Sequence, residues 1–177
     1  MKSLKNIKLL ALDVDGVLTD GSIIIGTSGE LAKRFNAQDG LGISASLRKG
    51  LKIALITGRH SEILLHRAKE LGITLIYENV KDKKQALLDI CQELNIKTSE
   101  VVYMGDDLND LPALMLAGVG VAPQNAAEDV KAKAQYVTQK LAGQGAVREV
   151  IEMILKEQGL WETIVQEYMQ EGQGDKQ

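Results

Sequence analysis

Short apolar runs alternate along the chain with longer segments whose apolar residues recur at helical spacing. Such runs of leucine, isoleucine and valine are typical of buried strands, and spacings of three and four residues are typical of amphipathic helices. We predict strands over 8–13, 52–57, 74–77, 101–104, 118–121 and 136–138. We predict helices over 41–49, 61–71, 83–94, 108–117, 126–134, 146–157 and 160–169. The alternation predicts an α/β fold with a mostly parallel sheet flanked by helices. Residues 1–177 are expected to form a single domain that ends in a C-terminal helix and tail over 159–177.

One segment, residues 21–36, interrupts the alternation. Ile23, Ile24 and Ile25 precede a Gly-Thr-Ser-Gly stretch and a second extended run, which predicts a β-hairpin inserted after the first strand. Three consecutive isoleucines are more apolar than a hairpin surrounded by water should be. They are expected either to pack on their own domain or to form an interface with another subunit.

Composition and charge narrow the classes of partner. Lys and Arg total 21 and Asp and Glu total 24, so the net charge of −3 offers no general attraction for nucleic acid. Aromatic residues make up 3% of the chain, which leaves few side chains for stacking on bases. The apolar runs are far shorter than the ~20 residues of a membrane span. With Cys91 as the single cysteine, no internal disulfide is possible. We expect a soluble protein of the cytoplasm with neither nucleic-acid nor membrane partners.

Carboxylates follow two of the predicted strands. Asp13 and Asp15 end the first strand two positions apart and therefore share one side of it, and Asp106 and Asp110 follow the strand at 101–104. The carboxyl ends of parallel strands meet at one edge of the sheet, where ligands bind. Carboxylate oxygens suit a hard cation such as Mg²⁺. The sequence therefore predicts a magnesium site at this edge.

Groups suited to an anion surround the same edge. Thr57 and Gly58 end the second main strand and offer a hydroxyl and backbone N–H groups at a helix start, and Lys83 opens a later helix. Three arginines, Arg59, Arg67 and Arg148, are candidates for binding a substrate carboxylate, because a guanidinium matches a planar carboxylate. A salt bridge on a helix surface is the other interpretation for Arg59, Arg67 and Arg148.

These motifs occur in a fixed order. Asp-x-Asp-Gly-x-x-Thr-Asp begins at residue 13, Thr-Gly-Arg begins at residue 57, and Lys83 and Gly-Asp-Asp-x-x-Asp follow. The ordered set, within residues 9–121, resembles the four motifs of the haloacid dehalogenase (HAD) superfamily. More narrowly, the chain resembles the small 3-deoxy-D-manno-octulosonate 8-phosphate phosphatases, which have no cap domain. This narrower resemblance is carried by residues 13–20, 33–36, 39–42, 57–61, 67 and 143–149.

The resemblance implies a Rossmann-like HAD core and a role for each motif residue. Asp13 would form an aspartyl-phosphate, and Asp15 would act as general acid and then as general base. Asp13, the backbone carbonyl of Asp15 and Asp106 would hold Mg²⁺. Lys83 would stabilise the transferring phosphoryl group, and Asp110 would orient Lys83. Thr57 would bind phosphate oxygens together with a substrate-binding set that comprises Gly58, Arg59, Arg67, Asp39, Gly40 and Arg148.

The implied function is Mg²⁺-dependent hydrolysis of 3-deoxy-D-manno-octulosonate (KDO) 8-phosphate to KDO and phosphate, a step towards lipopolysaccharide. One alternative is a phosphatase for another phosphosugar acid, such as a nonulosonate 9-phosphate. A remote alternative is a receiver-like signalling module that keeps its phospho-aspartate, although such modules lack the Asp-x-Asp pair. Predicted elements fill the stretches between Asp20, Thr57 and Lys83, so no cap domain is expected. The resemblance implies that a homotetramer, built through the hairpins, covers the site instead.

Overall fold

A sheet of six parallel strands forms the centre of the computed structural model, which describes residues 3–171. Its strands are β1 (Leu9–Leu12), β4 (Lys52–Ile56), β5 (Leu75–Tyr77), β6 (Val101–Met104), β7 (Val119–Ala122) and β8 (Tyr136–Val137). Their order across the sheet is β5-β4-β1-β6-β7-β8. The helices are α1 (Ala37–Arg48), α2 (Glu62–Leu71), α3 (Lys83–Glu93), α4 (Leu111–Leu116), α5 (Glu128–Lys131), α6 (Ala146–Glu157) and α7 (Trp161–Glu171). The predicted mostly parallel α/β fold is confirmed.

The core lies on both faces of this sheet, because the side chains of a strand alternate between the two faces. Leu10 and Leu12 of β1 belong to a cluster that includes residues of α1, α2, α6 and α7. Leu9 and Ala11 belong to the opposite cluster, with residues of α3, α4 and α5. β1 is therefore apolar at every position, and the first polar side chain after it, Asp13, lies at the carboxyl edge of the sheet.

The predicted hairpin forms a separate two-stranded sheet. Its strands, β2 (Ile24–Gly26) and β3 (Gly29–Ala32), are antiparallel. Ile23, Ile25 and Leu31 expose 49%, 68% and 65% of their surface. The isoleucines therefore do not pack into the core of their own domain, which was one of their two interpretations.

Several element boundaries differ from the prediction. α1 begins at Ala37, four residues before its predicted start, because the Asn36 side chain accepts hydrogen bonds from the N–H groups of Gln38 and Asp39 at 2.8 and 3.2 Å. Gly40 and Gly42 obscure this start in the sequence, since glycine disfavours helices. Close packing of α1 requires a glycine at position 42, because a Cβ there would lie 2.8 Å from Arg148 Cδ.

Two further differences are shorter helices. The segment predicted as a helix over 108–117 begins with a 3₁₀ turn, Leu108–Asp110, and the helix predicted over 126–134 has four residues, Glu128–Lys131. Between β1 and β4 the chain forms only the hairpin and α1, and between β4 and α3 only α2 and β5, so the described residues contain no separate cap domain. No helix within residues 3–171 has the length and apolar character needed to span a membrane.

Candidate active site

Three neighbouring strands bring the predicted motifs to one edge of the sheet. β4, β1 and β6 are adjacent and parallel. Thr57 follows β4, Asp13 follows β1, and Asp106 lies just after β6. The backbone N–H of Asp13 donates to the carbonyl of Met104 at 3.0 Å, which extends the pairing of β1 with β6 to the first carboxylate. The common edge predicted from the sequence is therefore present.

A tight loop after β1 brings the first motif against the last one, Gly-Asp-Asp-x-x-Asp, which follows β6. The N–H groups of Leu18 and Thr19 donate to the Val14 carbonyl at 3.0 and 3.1 Å, which closes a turn over residues 14–19. Gly16 lies within it at a φ of +90°, a conformation that favours glycine. A Cβ at Gly16 would overlap Asp106 Oδ2, so this glycine allows the loop to approach that carboxylate.

Asp13, Asp106 and Asp110 form a cluster in which one carboxylate oxygen of each lies within 4.8 Å of the others. Lys83, the first residue of α3, is the cation beside it. Its Nζ lies 2.8 Å from Asp13 Oδ1 and 2.7 Å from Asp110 Oδ1. The motifs after β1 and β6 and the helix-opening lysine therefore meet in one buried ionic group.

Asp110 differs from the other two carboxylates because donors surround it completely. Its Oδ1 accepts from Lys83 Nζ and from the Tyr103 hydroxyl at 2.6 Å, and its Oδ2 accepts from the N–H groups of Asp106 and Asp107 at 3.0 and 3.3 Å. These four donors satisfy a fully buried carboxylate. Asp110 is thus arranged to hold Lys83, whereas Asp13 and Asp106 retain oxygens for a metal ion.

The electrostatics of the cluster fit a divalent cation. Burial, and then the charges of Asp13 and Asp110, raise the pKa of Asp106 to about 8. Burial and Asp110 also raise the pKa of Asp13 to about 6, although Lys83 opposes this. Three carboxylates beside one lysine leave net negative charge in a buried place, and burial and this charge together cause both shifts. The hard oxygen donors of Asp13 and Asp106 suit Mg²⁺, so the residues fit the predicted metal.

Asp15, the second carboxylate of the first motif, has different neighbours. Its Oδ1 lies 2.5 Å from Lys33 Nζ, and its Oδ2 lies 3.9 Å from Arg59 Nε. Lys33 also contacts Glu30 Oε1 at 3.0 Å, and a Glu30 oxygen accepts from the Ser61 hydroxyl. Burial alone would lower the pKa of Lys33, but its hydrogen bonds to Asp15 and Glu30 raise it. The predicted site residues lack Lys33 and Glu30, although Lys33 belongs to the stretch 33–36 that carries the narrower resemblance.

The predicted phosphate-binding segment lies on the same edge. The N–H of Thr57 donates to the Tyr77 carbonyl at 2.9 Å, and the Thr57 carbonyl accepts from Val80 N–H at 3.0 Å. The Thr57 hydroxyl accepts from the N–H of Arg59 at 3.2 Å, and Gly58 between them is exposed. The segment is therefore held on one side by β5 and the residues after it, while Gly58 and Arg59 reach the surface.

Two of the predicted substrate residues, Asp39 and Arg148, have packing contacts between helices. Both carboxylate oxygens of Asp39 accept backbone N–H groups, from Arg148 at 2.7 Å and from Gly145 at 3.3 Å, and burial raises the pKa of Asp39 to about 6. The Arg148 guanidinium pairs with Glu152 and lies 4.7 Å from the Trp161 ring. Both residues thus join α1, α6 and α7 in the single chain, and their part in substrate binding stays a prediction.

Arg67 and Gly40 lie together beside the hairpin. The Arg67 guanidinium pairs with Glu70 at 3.2 Å and lies 6.0 Å from the Phe35 ring, and a Cβ on Gly40 would overlap its Nη2. Its Nε is buried without a hydrogen-bond partner among the described residues. Gly40 therefore makes room for Arg67, whose side chain is largely buried.

Comparison with known proteins agrees with this geometry. Residues 72–151 match the family of haloacid dehalogenase-like hydrolases. The 3-deoxy-D-manno-octulosonate 8-phosphate phosphatase KdsC of Escherichia coli (strain B / BL21-DE3) is 43% identical over 159 residues, which are 90% of this chain and 85% of the relative. The KdsC of Yersinia pestis is 43% identical over 150 residues, 85% of this chain and 80% of the relative.

Solved structures resemble the whole fold. The 3-deoxy-D-manno-octulosonate 8-phosphate phosphatase of Moraxella catarrhalis, in complex with magnesium ion, phosphate ion and a KDO molecule, superposes with a TM-score of 0.90 at 45% identity, covering 93% of this chain and 95% of that one. The cobalt-bound deoxy-D-mannose-octulosonate 8-phosphate phosphatase of Haemophilus influenzae gives a TM-score of 0.90 at 36% identity, covering 96% and 100% of the two chains.

Fold and site together define a phosphoric monoester hydrolase of the haloacid dehalogenase class. Within that class, the chain belongs to the family of 3-deoxy-D-manno-octulosonate 8-phosphate phosphatases.

Proposed function

We propose that this protein hydrolyses KDO 8-phosphate to KDO and phosphate with Mg²⁺, through an aspartyl-phosphate on Asp13. The supporting observation is the buried Asp13–Lys83–Asp110 group beside Asp106, in a chain 43% identical to a KDO 8-phosphate phosphatase. Relatives named for KDO 8-phosphate favour this substrate over a nonulosonate 9-phosphate. Membership of a phosphatase family disfavours a receiver-like module.

Asp13 is the proposed nucleophile. One of its oxygens attacks phosphorus in line, a phosphorus–oxygen bond forms to Asp13, and the bond to the sugar oxygen breaks. The 2.8 Å contact of Lys83 Nζ with Asp13 Oδ1 holds the carboxylate in place and supplies positive charge near the transferring group. The reaction thus proceeds by two displacements at phosphorus, the first by the Asp13 carboxylate and the second by water, and each is easier than a single direct hydrolysis.

Asp15 is the proposed proton-transfer group. In the first step it gives a proton to the leaving sugar oxygen, and in the second it takes one from the water that attacks the aspartyl-phosphate. General acid–base catalysis by a positioned side chain typically raises the rate by 10²–10⁴-fold. Its carboxylate lies beside Arg59 and Lys33, on the side of the site that carries the hairpin.

We further propose that Asp13, Asp106 and the backbone carbonyl of Asp15 hold Mg²⁺. When bound, the ion supplies positive charge to the phosphoryl oxygens. Thr57 and the Gly58 N–H bind phosphate oxygens, and Asp110 orients Lys83 through the 2.7 Å contact.

For the carboxylate of the substrate we propose Arg59 and Arg67. Arg59 has a half-exposed side chain close to Asp15, and Arg67 keeps a buried nitrogen without a partner among the described residues. Gly40 contributes by allowing Arg67 its position, and Asp39 contributes by fixing the start of α6.

We also propose that the protein is a homo-oligomer, a tetramer, joined through the hairpin. Four large apolar side chains of the hairpin, Ile23, Ile24, Ile25 and Leu31, are exposed in the isolated chain. An exposed apolar patch of this kind marks an interaction surface. We propose a cytoplasmic location, since Cys91 is a free buried thiol of the kind that a reducing compartment maintains.

The test is phosphate release from three substrates with Mg²⁺: KDO 8-phosphate, a nonulosonate 9-phosphate and a neutral hexose 6-phosphate. We expect kcat/KM to be at least about tenfold higher for KDO 8-phosphate, and Arg59→Ala to narrow this preference. EDTA should abolish turnover and added Mg²⁺ should restore it. Equal kcat/KM for the hexose phosphate, or hydrolysis in EDTA, would contradict the proposal.

A further inference from the structure

The buried ammonium group of Lys33, in the hairpin, contacts the carboxylate of Asp15. Its side chain is 3% exposed, and its Nζ lies 2.5 Å from Asp15 Oδ1. We propose that Lys33 is a positioning residue, which holds the Asp15 carboxylate in the orientation needed for proton transfer to the leaving oxygen. The inference rests on the proposed function, because it assigns a role to Lys33 through Asp15.

Lys33 is itself held by a chain of polar contacts. Glu30 Oε1 accepts from Lys33 Nζ at 3.0 Å, and the other Glu30 oxygen accepts from the Ser61 hydroxyl. Ser61 is the N-cap of α2, and its hydroxyl oxygen also accepts from Leu64 N–H at 3.1 Å. The chain thus runs from a fixed helix start through the hairpin to Asp15, and it restricts a side chain that would otherwise be flexible.

The same contacts distinguish the two oxygens of Asp15. Oδ1 is taken by Lys33, whereas Arg59 Nε is 3.9 Å from Oδ2, beyond hydrogen-bond distance. Oδ2 is therefore the oxygen that carries the transferred proton. As the phosphorus–oxygen bond to the sugar breaks, its electron pair goes to the sugar oxygen, which takes the proton from Oδ2. The Asp15 carboxylate that remains is stabilised by the Lys33 charge.

This role also connects the hairpin to catalysis within one chain. Lys33 directly follows β3, the strand that carries the exposed Leu31. A displacement of the hairpin would move Lys33 away from Asp15 while leaving Asp13, Lys83 and Asp106 in place. The proton-transfer group is therefore the part of the site most dependent on the hairpin.

The test compares two leaving groups in single turnovers with enzyme in excess, so that only phosphoryl transfer to Asp13 is measured. KDO leaves KDO 8-phosphate as an alkoxide that requires a proton, whereas p-nitrophenolate leaves p-nitrophenyl phosphate as a stable anion. Lys33→Met is expected to slow KDO release by about 10–100-fold and p-nitrophenolate release by less than about threefold. The KM for KDO 8-phosphate should change by less than about threefold, since Lys33 acts through Asp15.

Two further variants keep the comparison decisive. Arg34→Met removes the next positive charge of the hairpin, which pairs with Asp20 rather than Asp15, and both rates should match those of wild type. Glu30→Gln weakens the hold on Lys33 and should give the leaving-group dependence of Lys33→Met at smaller amplitude, which decides the matter if Lys33→Met does not fold. Equal slowing of both substrates, or a raised KM with an unchanged kcat, would overturn the inference.

Asp15→Asn, measured alongside, separates this inference from the proposed function. If Asp15→Asn slows both leaving groups equally, the proposed acid role of Asp15 fails, and the role of Lys33 fails with it. If Asp15→Asn slows only KDO release while Lys33→Met slows neither, the proposed function stands and the Lys33 inference alone is wrong.

Discussion

The Tyr103 hydroxyl donates a 2.6 Å hydrogen bond to Asp110 Oδ1, the same oxygen that accepts from Lys83. Burial and the negative charge of Asp110 raise the pKa of Tyr103 well above its usual value, so the hydroxyl remains protonated and acts as a donor. Tyr103 belongs to the central strand β6 and is fully buried. A strand residue thus fixes the carboxylate that holds Lys83.

Tyr103→Phe removes one of the four donors to Asp110. We expect a loss of about 1–3 kcal/mol in the free energy of unfolding, because a buried carboxylate loses a partner. We also expect kcat to fall by about tenfold, because Lys83 loses part of its support. Denaturant unfolding and steady-state kinetics measure the two effects. Tyr77→Phe is the matched control, since that hydroxyl bonds to Glu93 outside the site, and an equal loss of kcat there would contradict the assignment.

Gly16→Ala should weaken metal binding. The new Cβ would overlap Asp106 Oδ2, so the carboxylate must move, and we expect the Mg²⁺ concentration for half-maximal activity to rise by at least about tenfold. Gly50→Ala is the matched control, because Gly50 has a similar φ of +88° but open space where its Cβ would lie. Both variants bear the strain of a left-handed alanine, and only the first should change the response to Mg²⁺. An unchanged response in Gly16→Ala would contradict the close approach.

Magnesium affinity should depend on pH. The pKa of Asp106 is raised to about 8 and that of Asp13 to about 6, and each carboxyl must lose its proton to bind a cation. Affinity should therefore increase with pH, by about 10–100-fold between pH 6 and pH 8. Calorimetric titration with Mg²⁺ in buffers of different ionisation enthalpy measures both the affinity and the protons released. A constant affinity over this range would show that both carboxylates are already ionised.

Ile24→Lys should disrupt the proposed assembly. A lysine ammonium in an apolar contact between hairpins loses its hydration without a partner, so the oligomer is expected to dissociate. Light scattering should then give a mass near the 19.3 kDa of one chain, together with a loss of selective activity. Met115→Lys, an exposed apolar position on α4, is the control and should keep the wild-type mass. Full activity of a wild-type protein at 19.3 kDa would show that the site works in a single chain.

The sequence predicts most of the fold and the centre of the site, because parallel strands force their carboxyl ends to one edge. Asp13, Thr57 and Asp106 follow three predicted strands, and the neighbouring order of those strands brings them together. The proximity of these three residues can therefore be predicted from the strand order alone, without side-chain geometry. The confirmed fold class depends on the same alternation of apolar runs and helices.

Contacts set by tertiary packing escape the sequence. Lys33 reaches Asp15 only because the hairpin folds back over the first loop, and Tyr103 differs from other strand residues only by its hydroxyl. Arg148 has the residue type expected for a carboxylate, but the packing of α6 against α7 directs it to Trp161. Nothing in the local pattern distinguishes these orientations.

The most direct test of the proposed mechanism is the detection of a phosphoryl group on Asp13. Asp15→Asn should retain the nucleophile and Lys83 but lose the base that activates water, so the aspartyl-phosphate should accumulate. Acid quenching during turnover of p-nitrophenyl phosphate with Mg²⁺, whose leaving group needs no proton from Asp15, followed by peptide mass spectrometry, should locate one phosphoryl group on Asp13. The label should be absent in EDTA and in Asp13→Asn, which should also lose turnover. An unlabelled Asp13 peptide, together with near-normal turnover by Asp13→Asn, would contradict the account.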